Sequence, residues 1–284
     1  MALQDKVVVV TGGARGMGRA YVQAFLARGA KVAALDLSWK PSGVSNDADD
    51  RFYRELAGRD DALMLTCDVT SVKQIAAAYQ ATIDRFKTVD VLINNVALLP
   101  SVQFPPIGDM PILETTDADW ERQFAVSLFG TLKVTRAFIR PMLAQQSGSV
   151  IGISSKGGNT MPSGDGVSWV ARRPGSLEMP YMSAKAALTA MFCYLADEVK
   201  EQNVAVNVIN PTGARTTGFD EKTSARYALM GGSKVVGAKP EHVVPLALFL
   251  AEQDAKTGVS GRVFDTIEWN VVNGFGGPEV WFTD

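Results

Sequence analysis

A doubly wound α/β fold, a mostly parallel seven-stranded sheet with helices on both faces in a single domain of residues 1–284, is predicted by two features of the sequence. Short β-branched runs, apolar on consecutive positions, alternate with longer segments of helical periodicity. Strands that lack a polar face are strands buried on both sides. The first of them also runs directly into a glycine-rich turn and then a helix. In chain order, strands are expected at 6–10, 31–35, 62–66, 89–93, 149–153 and 204–209, with helices at 17–28, 71–86, 117–145, 181–201 and 240–251. Irregular insertions fall at 38–50, 98–116, 156–180 and 212–238. Connections after strand C-termini surround the ligand crevice of such a sheet. The last three insertions are therefore expected around a site, and the polar first one in solvent.

With 46% hydrophobic residues the chain can build its core without disulfides or metal. A net charge of −2 and a pI near 5.6, without a basic run or tail, give no electrostatic case for nucleic acid or an anionic membrane, and leave a small molecule as the expected partner. The apolar runs are too short to span a bilayer. Cys67 and Cys193 sit in apolar patterns and read as small buried hydrophobes; with a chain that opens directly into a strand, they point to the cytoplasm. His242, the single histidine, has no companions at ligand spacing, so no metal is expected and the ring is expected at the surface.

The segment TGGARGMG, 11–18, carries the first chemical signal. Gly12 permits a tight turn, Gly16 lets backbone approach a phosphate, and Gly18 lets helix and strand pack closely, with a pyrophosphate at the helix N-terminus. This is the Rossmann pattern of a dinucleotide site. Asp36 ends the second strand, where a carboxylate accepts both ribose hydroxyls of an adenosine and repels a 2′-phosphate. NAD is the cofactor expected on that reading; the other is that Asp36 only caps a turn. Arg15 can soften the discrimination by pairing with a phosphate. Asp68 either touches the adenine or caps the helix before Ser71.

The ordered motifs TGGARGMG (11–18), CDV (67–69), NNVA (94–97), GISS (152–155), YMSAK (181–185) and NPTGARTT (210–217) resemble the short-chain dehydrogenase/reductase family, in its one-domain form, over nearly the whole chain. The resemblance implies a catalytic Ser155, Tyr181 and Lys185. It puts Ser127, within SLFG, where the family usually has an Asn that supports a water relay to the lysine. It also implies cofactor contacts from Arg15, Met17 and the three glycines, from Asp36 and Leu37, from Asp68 and Val69, and from Asn95, Val96 and Ala97. Further contacts are implied for Tyr181 and Lys185, and for Pro211, Thr212, Gly213, Ala214 and Thr216, the last at the nicotinamide carboxamide. Ala97 and Thr212 stand where glycine is usual. A homo-oligomer, dimer or tetramer, is implied as well.

Tyr181 and Lys185 are four apart at the start of a helix and share one face. At ~4 Å and an effective dielectric of about 20, an ammonium stabilises a phenolate by up to roughly 4 kcal/mol, about three pKa units. Tyr181 can then exchange a proton with an alcohol or ketone near neutral pH while Ser155 hydrogen-bonds the substrate oxygen and Lys185 also holds the nicotinamide ribose. Leu98, Leu99, Val102 and Phe104, with Phe219, Tyr227, Leu229 and Met230, suggest apolar walls for a secondary alcohol or ketone on a hydrophobic or cyclic skeleton. The Ser155-to-Tyr181 run is long for the family and carries Trp169, Arg172 and Arg173; the arginines either meet an acidic substrate group or are solvated or at a subunit contact. The tail 268–284, with Trp269, Phe275, Trp281 and Phe282, either lines an interface or closes over a neighbouring site. A dinucleotide-binding sensor or scaffold with little activity is the rival reading, kept by Ser127 and the long insertion.

Overall fold

Every residue of the strand Val7–Thr11 (β1) is buried, as its unbroken VVVVT run requires of a strand covered on both faces. It lies inside a seven-stranded sheet in a computed structural model that describes residues 3–41, 50–105, 110–156, 160–162, 168–170, 177–211 and 237–282. The other strands are Lys31–Asp36 (β2), Ala62–Thr66 (β3), Val91–Asn94 (β4) and Gly148–Ile153 (β5), then, after a short hairpin of Thr160–Pro162 (β6) and Ser168–Val170 (β7), Val204–Asn210 (β8) and Val263–Asp265 (β9). The order is β3-β2-β1-β4-β5-β8-β9, and every pair in it is parallel. Thr11 registers with Leu35, Asp36 with Thr66, Asn94 with Gly152 and Asn210 with Asp265, so the carboxyl ends share one edge. Strand order reverses between β1 and β4, which opens a crevice at that edge.

The helices are Gly16–Ala27 (α1), Arg51–Ala57 (α2), Val72–Phe86 (α3), Pro100–Gln103 (α4), Asp117–Phe124 (α5), Thr131–Phe138 (α6), Arg140–Gln145 (α7), Tyr181–Glu198 (α8), Val244–Ala251 (α9), Thr266–Val272 (α10) and Pro278–Trp281 (α11). Alternate strand residues feed two core layers, because successive side chains of a strand point to opposite faces. Val8, Val10, Val32 and Ala34 pack with Phe25 of α1 and Leu246 of α9. Val9, Ala33 and Leu35 pack with Ile75 of α3, Phe138 of α6 and Phe192 of α8.

Several expectations are corrected. The helix expected over 117–145 is three helices and a π-helical turn at Ala125–Gly130; Thr116 and Asp119 form a capping box at its start, and Pro141, at the first turn of α7, cannot supply the N–H a continuous helix needs. Helix α2 and strand β9 were not expected, the latter because three partly covered residues carry too little pattern. The 38–50 excursion is not wholly in solvent: Trp39 packs on the first core layer and edge-on to Tyr53 at 5.9 Å, beside the Arg19 guanidinium stacked 4.3 Å over Phe52. Cys193 is only half-buried, whereas Cys67 is buried. Apart from these corrections, the tail packs in part on its own chain, with Trp269 against Phe249 at 5.2 Å and Phe275 at 5.6 Å, and an antiparallel bridge from Phe282 to Ala238.

His242 is fully buried rather than at the surface. A 3-10 turn at Pro240–Val243 carries it inward, its Nδ1 lies 2.7 Å from the Lys239 carbonyl, and its own carbonyl accepts from Asn270 Nδ2 at 2.8 Å. Burial lowers its pKa to about 4 from 6.5. The unfolded chain therefore takes up a proton that the native ring refuses, and stability falls as pH drops from about 6.5 to about 4, by roughly 3 kcal/mol. In urea titrations across that window, His242→Gln is expected to remove most of this acid-dependent loss; an unchanged slope would contradict the assignment to His242.

Candidate active site

The turn after β1 is built around a close approach of helix and loop. Gly12 has φ +68°, and a Cβ on Gly18 would overlap the Gly12 carbonyl oxygen, so α1 reaches the turn only through glycine. The Asn95 side chain, arriving from β4, donates through Nδ2 to the Thr11 and Gly12 carbonyls at 3.0 and 3.3 Å, and the Thr11 hydroxyl accepts from the backbone N–H groups of Asn95 and Val96 at 2.9 and 3.2 Å. Asn95 thus braces the turn across the strand-order reversal. No side chain of the N-cap residue caps α1.

Asp36 Oδ2 accepts from the Ala14 N–H at 3.0 Å and its Oδ1 from the Ser38 N–H at 3.2 Å, which sets the carboxylate beside the glycine-rich turn. Burial raises its pKa, opposed by those N–H groups and by Arg15. Arg15 Nη2 donates to the Lys40 carbonyl at 2.9 Å. Leu37 is exposed, and Met17 packs on the first core layer. Asp68 Oδ1 accepts from the Thr70 N–H and hydroxyl, both at 2.8 Å, while the cap of α3 is Ser71, whose hydroxyl accepts from the Gln74 N–H. Asp68 is therefore a turn residue and not the helix cap. Val69 is buried and fills the space that a Cβ on Gly130 of the π turn would need, whereas Ala97 is half-buried.

Tyr181 is the first residue of α8, and Lys185 follows one turn later. Lys185, 1% exposed, donates from Nζ to the Ile153 carbonyl at 2.5 Å, and Nζ lies 5.8 Å from the centre of the Tyr181 ring. Ser154, buried, ties the same strand end to the same helix, with its Oγ 3.0 Å from the Lys185 carbonyl and 2.6 Å from Thr189 Oγ1. Ser155, next in the chain, is half-buried. Strand β5 and helix α8 thus bring Tyr181 and Lys185 to the strand end that carries Ser155. Burial lowers the Lys185 pKa to about 7.

Ser127 is buried in the π turn, where its Oγ accepts from the Leu98 N–H at 3.1 Å and from Gln123 Nε2 at 2.7 Å. It fastens the connection after β4 to the helix that follows. Gln123, also buried, keeps an Oε1 with no hydrogen-bond partner among the described residues. No motif or spacing marks this glutamine, or the bracing roles of Thr11 and Ser154. Leu98 and Phe104 are buried, Leu99 is half-buried, and Val102 and Leu113 are exposed, the latter at 95%. Pro211 follows β8 and is half-buried. Thr212, Gly213, Ala214, Thr216, Phe219, Tyr227, Leu229, Met230, Arg172 and Arg173 lie outside the described residues, as does the Trp169 side chain. Among the described residues no group of three or more His, Cys, Asp or Glu side chains could hold a metal, and no helix is long and apolar enough to cross a membrane.

A family model described as short chain dehydrogenase matches residues 6–227. The chain is 44% identical over 276 residues to fluoren-9-ol dehydrogenase of Terrabacter sp. (strain DBF63), covering 97% of this chain and 74% of that protein. It is 31% identical over 270 residues to momilactone A synthase of Oryza sativa subsp. japonica, covering 92% and 88%. In fold it is similar to 3-ketoacyl-(acyl-carrier-protein) reductase from Brucella melitensis complexed with NADH, with a TM-score of 0.73, 21% identity, and 93% and 97% of the two chains covered.

The buried Lys185 has a cost that can be measured. With a native pKa of about 7 against 10.5, the folded chain binds fewer protons than the unfolded one between those values. The penalty, roughly 5 kcal/mol, is full below pH 7 and fades as pH rises toward 10.5. Lys185→Met removes it but leaves the Ile153 carbonyl without its donor, at about 1–3 kcal/mol. The variant is expected to be more stable by about 2 kcal/mol or more at pH 6 and to lose that advantage by pH 10, as read by urea unfolding.

Proposed function

The chain belongs to the short-chain dehydrogenase/reductase family of oxidoreductases, and we infer that it is an NAD-dependent enzyme that interconverts a secondary alcohol and a ketone on a hydrophobic, cyclic skeleton. The observation that carries this reading is the seating of Lys185 on the Ile153 carbonyl, 5.8 Å from the Tyr181 ring and two residues from Ser155. A buried cation held by a carbonyl and beside a phenol at a strand end is costly as structure alone, and it is what proton exchange at that phenol requires.

The residues of the first turn fit a dinucleotide: Gly12 and Gly18 let the turn and the start of α1 pack closer than any Cβ would allow, which brings backbone N–H groups to the strand end, and Asp36 sits beside them, where it would accept ribose hydroxyls. The Asp36 carboxylate also disfavours a 2′-phosphate, and Arg15 is engaged by the Lys40 carbonyl, which supports NAD over NADP. A nicotinamide bound there would supply the hydride acceptor for the alcohol carbon. Tyr181 takes the hydroxyl proton in the oxidative direction and returns it in the reductive one. Ser155 donates a hydrogen bond to the substrate oxygen as its charge changes. The ammonium of Lys185, its Nζ 5.8 Å from the centre of the Tyr181 ring, favours the phenolate form of Tyr181. Lys185 would also hold the nicotinamide ribose.

Support for the substrate class comes from the apolar residues that follow β4 and from the relative at 44% identity, named for a secondary alcohol on a fused-ring skeleton. We take the enzyme to be a homo-oligomer in the cytoplasm. NADH formation at 340 nm from fluoren-9-ol and related alcohols is expected with NAD, at a kcat/KM at least about tenfold above that with NADP. Tyr181→Phe is expected to lower kcat by about 10²- to 10⁴-fold with NADH binding retained. Tight NADH binding without turnover on any such alcohol would replace this reading with that of a dinucleotide sensor.

A further inference from the structure

The residue after Ser155 has a fixed partner far away in the chain. Lys156 Nζ lies 2.9 Å from Glu268 Oε1 and 3.3 Å from Asp265 Oδ2. Both carboxylates belong to the start of α10, where Asp265 is the N-cap and its Oδ1 accepts from the Glu268 N–H at 3.1 Å. One of the two residues between them grips a second strand end, since the buried Thr266 donates from Oγ1 to the Asn210 carbonyl at 3.1 Å, one residue before Pro211. Strands β5 and β8 are neighbours, with Ile153 opposite Ile209. One piece of chain, 265–268, thus holds the ends of both strands from which Ser155 and Pro211 emerge. Ser154 is fastened inward to α8, so the ion pair is the tether on the other side of Ser155.

We propose that Lys156 is a positioning residue: through its ion pairs with Asp265 and Glu268 it sets the place of Ser155 relative to Pro211, and so where the substrate oxygen lies relative to the nicotinamide. This rests on the roles inferred above for Ser155 and Pro211. Stability is a poor explanation for the arrangement. The Lys156 and Glu268 side chains are 49% and 72% exposed, and pairs of that exposure contribute about 1 kcal/mol at most. Asp265, at 19%, is the better-shielded anchor. A variant without the lysine therefore folds, and what it loses is placement, for which a shift of ~1 Å can cost up to about 100-fold in rate.

The test uses the full chain as Lys156→Met and Lys156→Arg. Three readouts are taken: kcat and KM with NAD and fluoren-9-ol, the NADH dissociation constant from nicotinamide fluorescence, and amide hydrogen exchange over residues 148–156. For Lys156→Met, kcat is expected to fall about tenfold, with the KM for NAD and the NADH dissociation constant within about twofold of wild type, and exchange at 154–156 to quicken. Lys156→Arg, which reaches both carboxylates, is expected to recover kcat to within about threefold. Unchanged kcat and exchange in Lys156→Met, or a failure of arginine to recover, overturns the proposal. If wild type turns over no alcohol, the roles of Ser155 and Tyr181 fall instead, and exchange alone decides the tether: faster in Lys156→Met sustains it, and unchanged overturns it.

Discussion

The constraint from which the rest of the molecule follows is a sheet of parallel strands with no wet face. With side chains of β1, β2, β4, β5 and β8 buried above and below, polar chemistry has only the strand ends to emerge from. Parallel register places all the carboxyl ends at one edge, so residues from distant stretches of sequence converge there without a long-range device of their own. Asp36, Asn95, Ser155 and Pro211 are neighbours in this sense. The burial that makes the core also makes the site.

Buried charge is the exception to that rule. Lys185 is carried below the surface of the sheet edge, and only a backbone carbonyl compensates it among the hydrogen bonds described. Burial penalises the ammonium that the proposed chemistry uses and brings its pKa down to about 7. A more polar niche would stabilise the fold and hold the proton more firmly; a drier one would discharge the lysine.

Much of this was legible in the residues. Consecutive valines in β1, glycines at 12, 16 and 18, and the spacing of Tyr181 and Lys185 each reflect a local physical demand, so the fold class and the placing of the candidate site could be read before any coordinates. What escaped was set by tertiary contact. Arg140–Pro141 and the π turn break a helix whose periodicity looks continuous, β9 exists because β8 offers it a partner, and His242 is inside because the turn at Pro240 and the carbonyl bond with Asn270 draw it in. The partners of Lys156 lie more than a hundred residues away, beyond any periodicity or spacing rule.

The bridge between Phe282 and Ala238 bears on how such a protein changes over evolution. Residues 212–236 leave from an Asn210 held by Thr266 and return to an Ala238 held by the tail, where Lys239 N–H also bonds the Trp281 carbonyl at 2.8 Å. Both fastenings come from one stretch of chain, 266–282, so the end of β8 and the turn at Pro240 are held in common by the C-terminal segment. A lineage that shortened this stretch would release two distant parts of the frame at once.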